Sequence, residues 1–525
     1  MTRDLAARAA GLRAAAAALA ATLHADARLE TTAACERAVL RLFGVGGLDR
    51  AGRPLAAEVV DRFAGRASAV GGGDIALPFA VAAAEYELTP AELALDVAAG
   101  NVDLALEAEL LADPGRRAAA EALLATWVAG AWERFDANRT ARAELLGLLG
   151  ETPMPRFAVE LPGSRAGDVA ASLRRTAADG ADLICVPVPR DRELRRGLGE
   201  EVDRTDADAD PSAAPAGSQR GLGVIRAALD EAAAESGRYL RLATRSVGLA
   251  EPEQAMVAGF ERIDAVFTDP LEAVVDLGVD PERALADHAF ATAILARSGA
   301  SLVLGPGPLA VAPEMTRGEP PDPSTRMGRS LALQALSVEL SRCGGLPDER
   351  IVIAGLSRGP LDGAAGLLQG FVELALRRLT FAAHELVLEE PLSGGAGPPW
   401  PIALTAWLSG GAVPSLVLGR SATAAGPTLD GMRSAVGAAA ALASASRIEL
   451  PRGEAAMLVE EALGVATATI QELADHGWER LLLSSPVVGR RPAGATAGRA
   501  ATGAEVAPRA YLGLFPTPGD ARLRL

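Results

Sequence analysis

The chain has 525 residues, 49% of them apolar, and a net charge of −16. That composition excludes a mainly disordered chain, and the acidic balance argues against nucleic acid, whose phosphates reward basic surfaces. All 51 basic residues are arginine, so the chain itself offers no lysine for a covalent link to a carbonyl compound.

Cys35, Cys185 and Cys343 are far apart and lack metal-ligand spacing, which predicts a reduced, cytoplasmic protein with no metal site. The Ala-rich N-terminus is interrupted by Arg and Asp and reads as a helix, not a signal peptide. No uncharged apolar run is long enough to span a bilayer.

In chain order, residues 1–150 predict a helical accessory region. Its helices fall at about 3–23, then at CERAVLRLFG with Thr31 or Thr32 as N-cap, and at 55–65, 77–87, 90–98 and 102–147. Thr89-Pro90 and Asp113-Pro114 are natural helix starts or breaks. The boundary falls at Gly150-Glu151-Thr152-Pro153. Eight short β-rich apolar segments follow, at 154–161, 181–188, 238–244, 263–269, 300–306, 350–356, 384–390 and 414–420, each before a helix-compatible stretch. Continuous apolar strands alternating with helices predict a parallel sheet, and eight units predict an α/β fold of the (β/α)8 barrel type over 151–447. Helices are expected at 221–236, 252–260, 281–298, 326–343, 361–379, 400–409 and 429–446. The charged 189–217 stretch reads as disorder or a lid. Residues 448–525 predict a helix at 452–476 and a flexible Gly/Pro/Ala-rich tail.

Barrel chemistry sits at the C-terminal ends of the strands. Those ends offer Arg190, then Thr244-Arg245-Ser246, then Asp269 with Glu272, then Ser357-Arg358, Glu389-Glu390 and Arg420-Ser421. Rim arginines suit an anionic cofactor or substrate, but in an arginine-only protein they also occur as solvated charges. Glu389 and Glu390 are candidates for a general base or an amine anchor, or a surface pair before Pro391. His24, His288, His384 and His476 are read as structural. No HExxH, GxSxG or P-loop motif is present.

Three stretches, ETTAACERAVLRLFGVGGLD (30–49), GRYLRLATRSVGLAEPE (237–253) and FERIDAVFTDPLEAVVDLGVDPERALADHAFA (260–291), together resemble the alpha subunit of lysine 5,6-aminomutase. The resemblance implies a barrel that works as an oligomer with a cobalamin-binding beta subunit, which supplies the lysine that anchors pyridoxal phosphate. It implies a radical 1,2-shift of an amino group, with adenosylcobalamin and pyridoxal phosphate as cofactors. By spacing, the family's phosphate-holding positions after strand two fall on Val188 and Glu193, and a serine after strand three falls on Val247. The tyrosine that stacks on the pyridine ring falls on Glu272, a following arginine on Leu277, and a cofactor-contacting run on Gly307-Pro308-Leu309. Arg190, Thr244, Arg245, Ser246, Glu272, Arg420 and Ser421 are therefore the cofactor-binding candidates. Three functions follow as expectations: a divergent aminomutase alpha subunit, a non-catalytic paralogue serving as scaffold or regulator, or a barrel recruited to another anionic ligand.

Overall fold

The computed structural model describes residues 2–27, 31–47, 49, 54–70, 75–150, 152, 156–161, 165–188, 212, 214, 216–245, 251–277, 281–305, 322–355, 363–389, 415–420 and 452–477. For 2–3, 64–70, 275–277, 363–367, 371, 388–389, 415–420 and 452 the description is of the backbone alone.

The N-terminal part is helical, as its sequence predicts. Helix α1 (Thr2–Ala27) buries Ala9, Leu12, Ala16 and Ala20, a stripe at helical spacing. Helix α2 (Ala33–Leu42) starts where Thr32 accepts a hydrogen bond from Cys35 N at 3.1 Å. All ten of its residues are buried, Glu36, Arg37 and Arg41 included, because it lies between other helices. Helices α3 (Leu55–Val70), α4 (Ala76–Glu85) and α5 (Pro90–Ala99) follow, the last with a capping box between Thr89 and Glu92.

The helix expected over 102–147 is divided. A short α6 (Leu104–Glu107) and a 3-10 turn (Ala108–Ala112) precede α7 (Pro114–Leu149). The break is at Asp113-Pro114: proline has no N–H to continue a helix, and Asp113 Oδ1 accepts from Gly115 N at 2.7 Å and Arg116 N at 3.3 Å.

Among the described residues eight parallel strands follow one another in order and close into a barrel, β8 pairing back to β1. They are β1 (Arg156–Glu160), β2 (Leu183–Pro187), β3 (Arg241–Arg245), β4 (Ala265–Phe267), β5 (Ser301–Leu304), β6 (Ile351–Ala354), β7 (Glu385–Glu389) and β8 (Ser415–Arg420). Helices run between them: α8 (Ala166–Ala178), α9 (Gln219–Ser236), α10 (Glu251–Phe260), α11 (Pro270–Leu277), α12 (Pro281–Ser298), α13 (Pro323–Cys343) and α14 (Gly363–Thr380), with α15 (Arg452–His476) after β8. Helix α11 is an addition to the sequence expectation. The expected helices at 400–409 and 429–446, most of the 189–217 stretch and the C-terminal tail lie outside the described residues.

Two buried clusters fill the molecule. The larger lies between strands and helices and extends through α1 to α7. The smaller comprises Ala158, Leu183, Cys185, Ala243, Ala265, Phe267, Val303, Val352 and Val387, residues drawn from seven strands that fill the barrel interior.

Helix α7 closes the barrel's N-terminal end. Arg142 Nε meets Asp264 Oδ1 at 2.8 Å, and its Nη atoms donate to Ile263 O at 2.8 Å and Ser298 O at 3.1 Å. Asn138 Nδ2 donates to Gly259 O at 2.9 Å and Phe260 O at 2.8 Å. Elsewhere α1, α13 and α15 pack together, with an Arg8–Glu460 ion pair at 2.8 Å.

Candidate functional site

Strand alternation decides what reaches the barrel mouth. Side chains two apart share a face, so Glu160 and Arg245 stand above the interior residues Ala158 and Ala243. Arg245 Nε lies 3.5 Å from Glu160 Oε2, and its guanidinium carbon is 4.6 Å from the centre of the Phe267 ring. Strands β1, β3 and β4 thus present one ion pair resting on an aromatic ring. Thr244 alternates to the other face with Leu242 and is buried toward the helices.

The next strand end is acidic. Beyond β4, Asp269 Oδ1 accepts from Leu271 N at 2.9 Å and Glu272 N at 3.4 Å, which caps α11 in an Asp-Pro start. Ser337 of α13 donates to the same oxygen at 2.9 Å. Asp269 is 4% exposed, and its Oδ2 has no hydrogen-bond partner. Burial, and then the Glu272 carboxylate, push the Asp269 carboxyl up to about 7 against the opposing pull of Ser337, the Leu271 amide and His288. A β-carbon on Gly305, just past β5, would lie 3.2 Å from Glu272 Oε2 and 3.7 Å from Asp269 Oδ2, so both carboxylates border the same small space.

Gln334 of α13 closes that space from the β6 side. Its Nε2 donates to Gly305 O at 2.8 Å and Ala354 O at 3.0 Å, while its buried Oε1 has no partner. Arg377 also reaches Ala354 O, at 3.1 Å, and is held by Ser330 Oγ at 3.1 Å.

Behind the mouth His288 is buried and engaged at both ring nitrogens: Nδ1 with Glu251 Oε1 at 2.8 Å, Nε2 with Ser341 Oγ at 3.0 Å. The ring of His384 sits at the opposite end, Nδ1 3.1 Å from Asp348 O and Ile351 O. A buried polar cluster joins α2 to α10 and α12. Arg37 meets Glu253 at 2.9 Å, Arg41 meets Glu253 at 3.6 Å, and Thr32 hydroxyl donates to Asp287. Burial is the main reason that Asp287 is pushed up to about 6 and Cys35 well above the usual thiol range, each with a neighbouring carboxylate adding to it.

Of the residues expected at the site, Arg245 and Glu272 are at the mouth as described. Arg420 is the backbone register partner of Glu160, and Glu389 of Leu418. Arg190, Ser246, Glu390 and Ser421 lie outside the described residues. Glu160, Gln334 and Ser337 were not among the expected residues. Glu160 carried a usable signal, being a strand-end acid, whereas Gln334 and Ser337 sit mid-helix with none.

The family model for the D-lysine 5,6-aminomutase TIM-barrel domain of the alpha subunit matches residues 5–307. The chain belongs to that family. It is 27% identical over 369 residues to the lysine 5,6-aminomutase alpha subunit of Fusobacterium nucleatum, covering 69% of this chain and 65% of that protein. Over 323 residues it is likewise 27% identical to the alpha subunit of Acetoanaerobium sticklandii, covering 61% of this chain and 58% of the relative. The match thus spans less than two thirds of either relative. Among solved structures, dihydropteroate synthase from Anaplasma phagocytophilum covers 55% of this chain and 98% of its own at 14% identity and a TM-score of 0.32, too distant to bear on function. In this aminomutase-family chain the stretches 30–49, 237–253 and 260–291 converge in space. They supply α2, β3, the start of α10, β4 and α12, and with them the Arg37–Glu253 and Thr32–Asp287 contacts.

Proposed function

We propose that this chain is a divergent, alpha-subunit-like component of an aminomutase-type isomerase, acting in an oligomer with a cobalamin-binding beta subunit in the cytoplasm. The observation that carries the reading is the family match over 5–307, which runs through the N-terminal helices and five strands of a closed parallel barrel. The same reading divides the chain into a helical accessory region (1–150), a (β/α)8 barrel (151–447), and a helix with a tail (448–525). The absence of lysine supports a partner that brings the one the chemistry needs.

Pyridoxal phosphate is the cofactor this resemblance implies for the barrel mouth, and the described residues do not fit it at the expected positions. Val188, where the family holds phosphate with arginine, is a buried aliphatic whose N–H donates to Arg245 O at 2.8 Å. Glu272, where an aromatic ring is expected, is an acid beside the buried Asp269 carboxyl. An anionic phosphate gains nothing from two carboxyls, and no reaction step is assigned through the cofactor here.

The test is co-expression with a cobalamin-binding subunit from the same genome, followed by size-exclusion chromatography and visible spectroscopy with added pyridoxal phosphate and adenosylcobalamin. A stoichiometric complex is expected. Two chains eluting separately would end the alpha-subunit reading. A complex that never develops pyridoxal absorption, with or without an amino acid, would end the catalytic one.

A further inference from the structure

At the barrel's N-terminal end arginines share carboxylates, although the chain as a whole carries a net charge of −16. Asp136 takes Arg297 at 2.6 Å and Arg139 at 3.3 Å, and Asp264 takes Arg142 at 2.8 Å and Arg226 at 3.2 Å. Arg350 ends the 3-10 turn (Asp348–Arg350) that leads into β6. Among the described residues its side chain has no hydrogen bond and no ion pair.

Three of these arginines meet at one glycine. A β-carbon on Gly299, between α12 and β5, would lie 3.1 Å from Arg350 Nη1, 3.2 Å from Arg142 Nη1 and 3.5 Å from Arg139 Cδ. The carbonyl end of α12 accounts for little of this gathering. Arg142 Nη1 donates to Ser298 O at 3.1 Å, which leaves its second N–H uncommitted, and Arg350 keeps all its donors. Burial, and then Arg142, hold the Arg350 guanidinium below its ordinary range, with Arg139 adding to this and the exposed Glu349 opposing it. Arg350 is half-buried and the Arg139 side chain 32% exposed, so the group opens to solvent.

We propose that Arg139, Arg142 and Arg350, gathered over Gly299, bind a phosphate-type oxyanion, either free or as a phosphate monoester. A tetrahedral dianion offers an oxygen to each of three guanidinium groups and offsets their repulsion, whereas water would meet the donors and leave the charge. A planar carboxylate has only two oxygens to offer. This end of the barrel is opposite the strand ends where the resemblance places a cofactor. The test needs no second subunit and no turnover, so its failure is distinct from failure of the alpha-subunit reading.

The full-length protein is titrated with sodium phosphate by isothermal calorimetry at pH 8 in low-chloride buffer, with methyl phosphate and succinate in parallel at matched ionic strength. Saturable one-site binding of phosphate is expected. Equal binding of methyl phosphate would assign the site to a monoester, and weaker binding to the free ion. Arg350→Gln should weaken phosphate binding at least about tenfold, the scale of a charge-assisted hydrogen bond. Arg174→Gln removes the same charge from the exposed Arg174–Glu231 pair on α8 and α9 and should leave binding unchanged. Without phosphate, Arg350→Gln should unfold at the same urea concentration as the parent, and added phosphate should raise the midpoint of the parent alone. Should Arg350→Gln not fold, Arg139→Gln carries the same comparison. No saturable phosphate binding, undiminished binding by the Arg350 or Arg139 variant, an equal loss in Arg174→Gln, or succinate binding as tightly would each overturn the assignment.

Discussion

Asp269 and Asp264 are buried carboxyls five residues apart, and their surroundings push them in opposite directions. Burial, and then Glu272, raise Asp269 to about 7. A carboxyl raised in the fold contributes its full stability below its unfolded range near pH 4 and loses it as pH climbs through 7. Asp269→Asn keeps the acceptor for Leu271 N and Ser337 and removes the ionisation. It is expected to raise the unfolding free energy at pH 8 by about 2 kcal/mol and to bring no gain at pH 4, measured by urea unfolding at both. Burial alone would raise Asp264 too, but Arg142, Arg226, Leu242 N–H and the Tyr239 hydroxyl more than offset it, and its carboxyl lies below the usual range. Its stabilisation is present above that range and fades as pH falls. Asp264→Asn removes the carboxylate shared by Arg142 and Arg226, the latter 5% exposed and left with Asp230, and should cost about 2–4 kcal/mol at pH 7 and markedly less at pH 3.

At the scale of elements, the contact between α7 and α10 is a close approach at one glycine. A β-carbon on Gly259 would fall 2.1 Å from Phe135 Cζ, and Phe135 in turn packs edge-on against Phe260 with ring centroids 5.0 Å apart. Gly259→Ala is therefore expected to destabilise by about 1–3 kcal/mol, and adding Phe135→Leu should recover part of the loss in a double-mutant cycle. Strictly additive losses would place the clash elsewhere. This contact shows why some of the fold was legible in the sequence and some was not. The eight strands were, because each is a continuous apolar run in a sheet buried on both faces. Thr32 as a cap and the Asp113-Pro114 break were, because their chemistry is local. The Gly259–Phe135 contact joins residues far apart in the chain, and no local pattern marks it. Helix α11 was missed because Pro270–Leu277 is two turns of mostly apolar residues directly after a strand. At the mouth, Arg245 and Glu272 were legible as strand-end polar residues. Gln334 was not, since a mid-helix glutamine turns inward only when a sheet end meets it.

For the whole molecule, α13 is where termini, barrel and mouth meet. It is buried along most of its length, and through Gln334 and Ser337 it holds the ends of β4, β5 and β6. Its other side is covered by α1 and α15, so closely that a β-carbon on Gly328 would sit 2.5 Å from Ala462 O. Helices α1 and α15 thus clamp the helix that shapes the mouth. Deleting residues 1–30 removes the buried stripe of Ala9, Leu12, Ala16 and Ala20 and exposes apolar surface on α13 and α15. The thermal midpoint should fall by roughly 2–5 °C, as expected for a loss of a few kcal/mol in a chain of this size. Hydrogen exchange should quicken across 323–343 and 452–476 before it does in the β1–β3 strands, because the lost cover lies over α13 and α15. Unchanged exchange over 323–343 would show that α13 is held by the barrel alone.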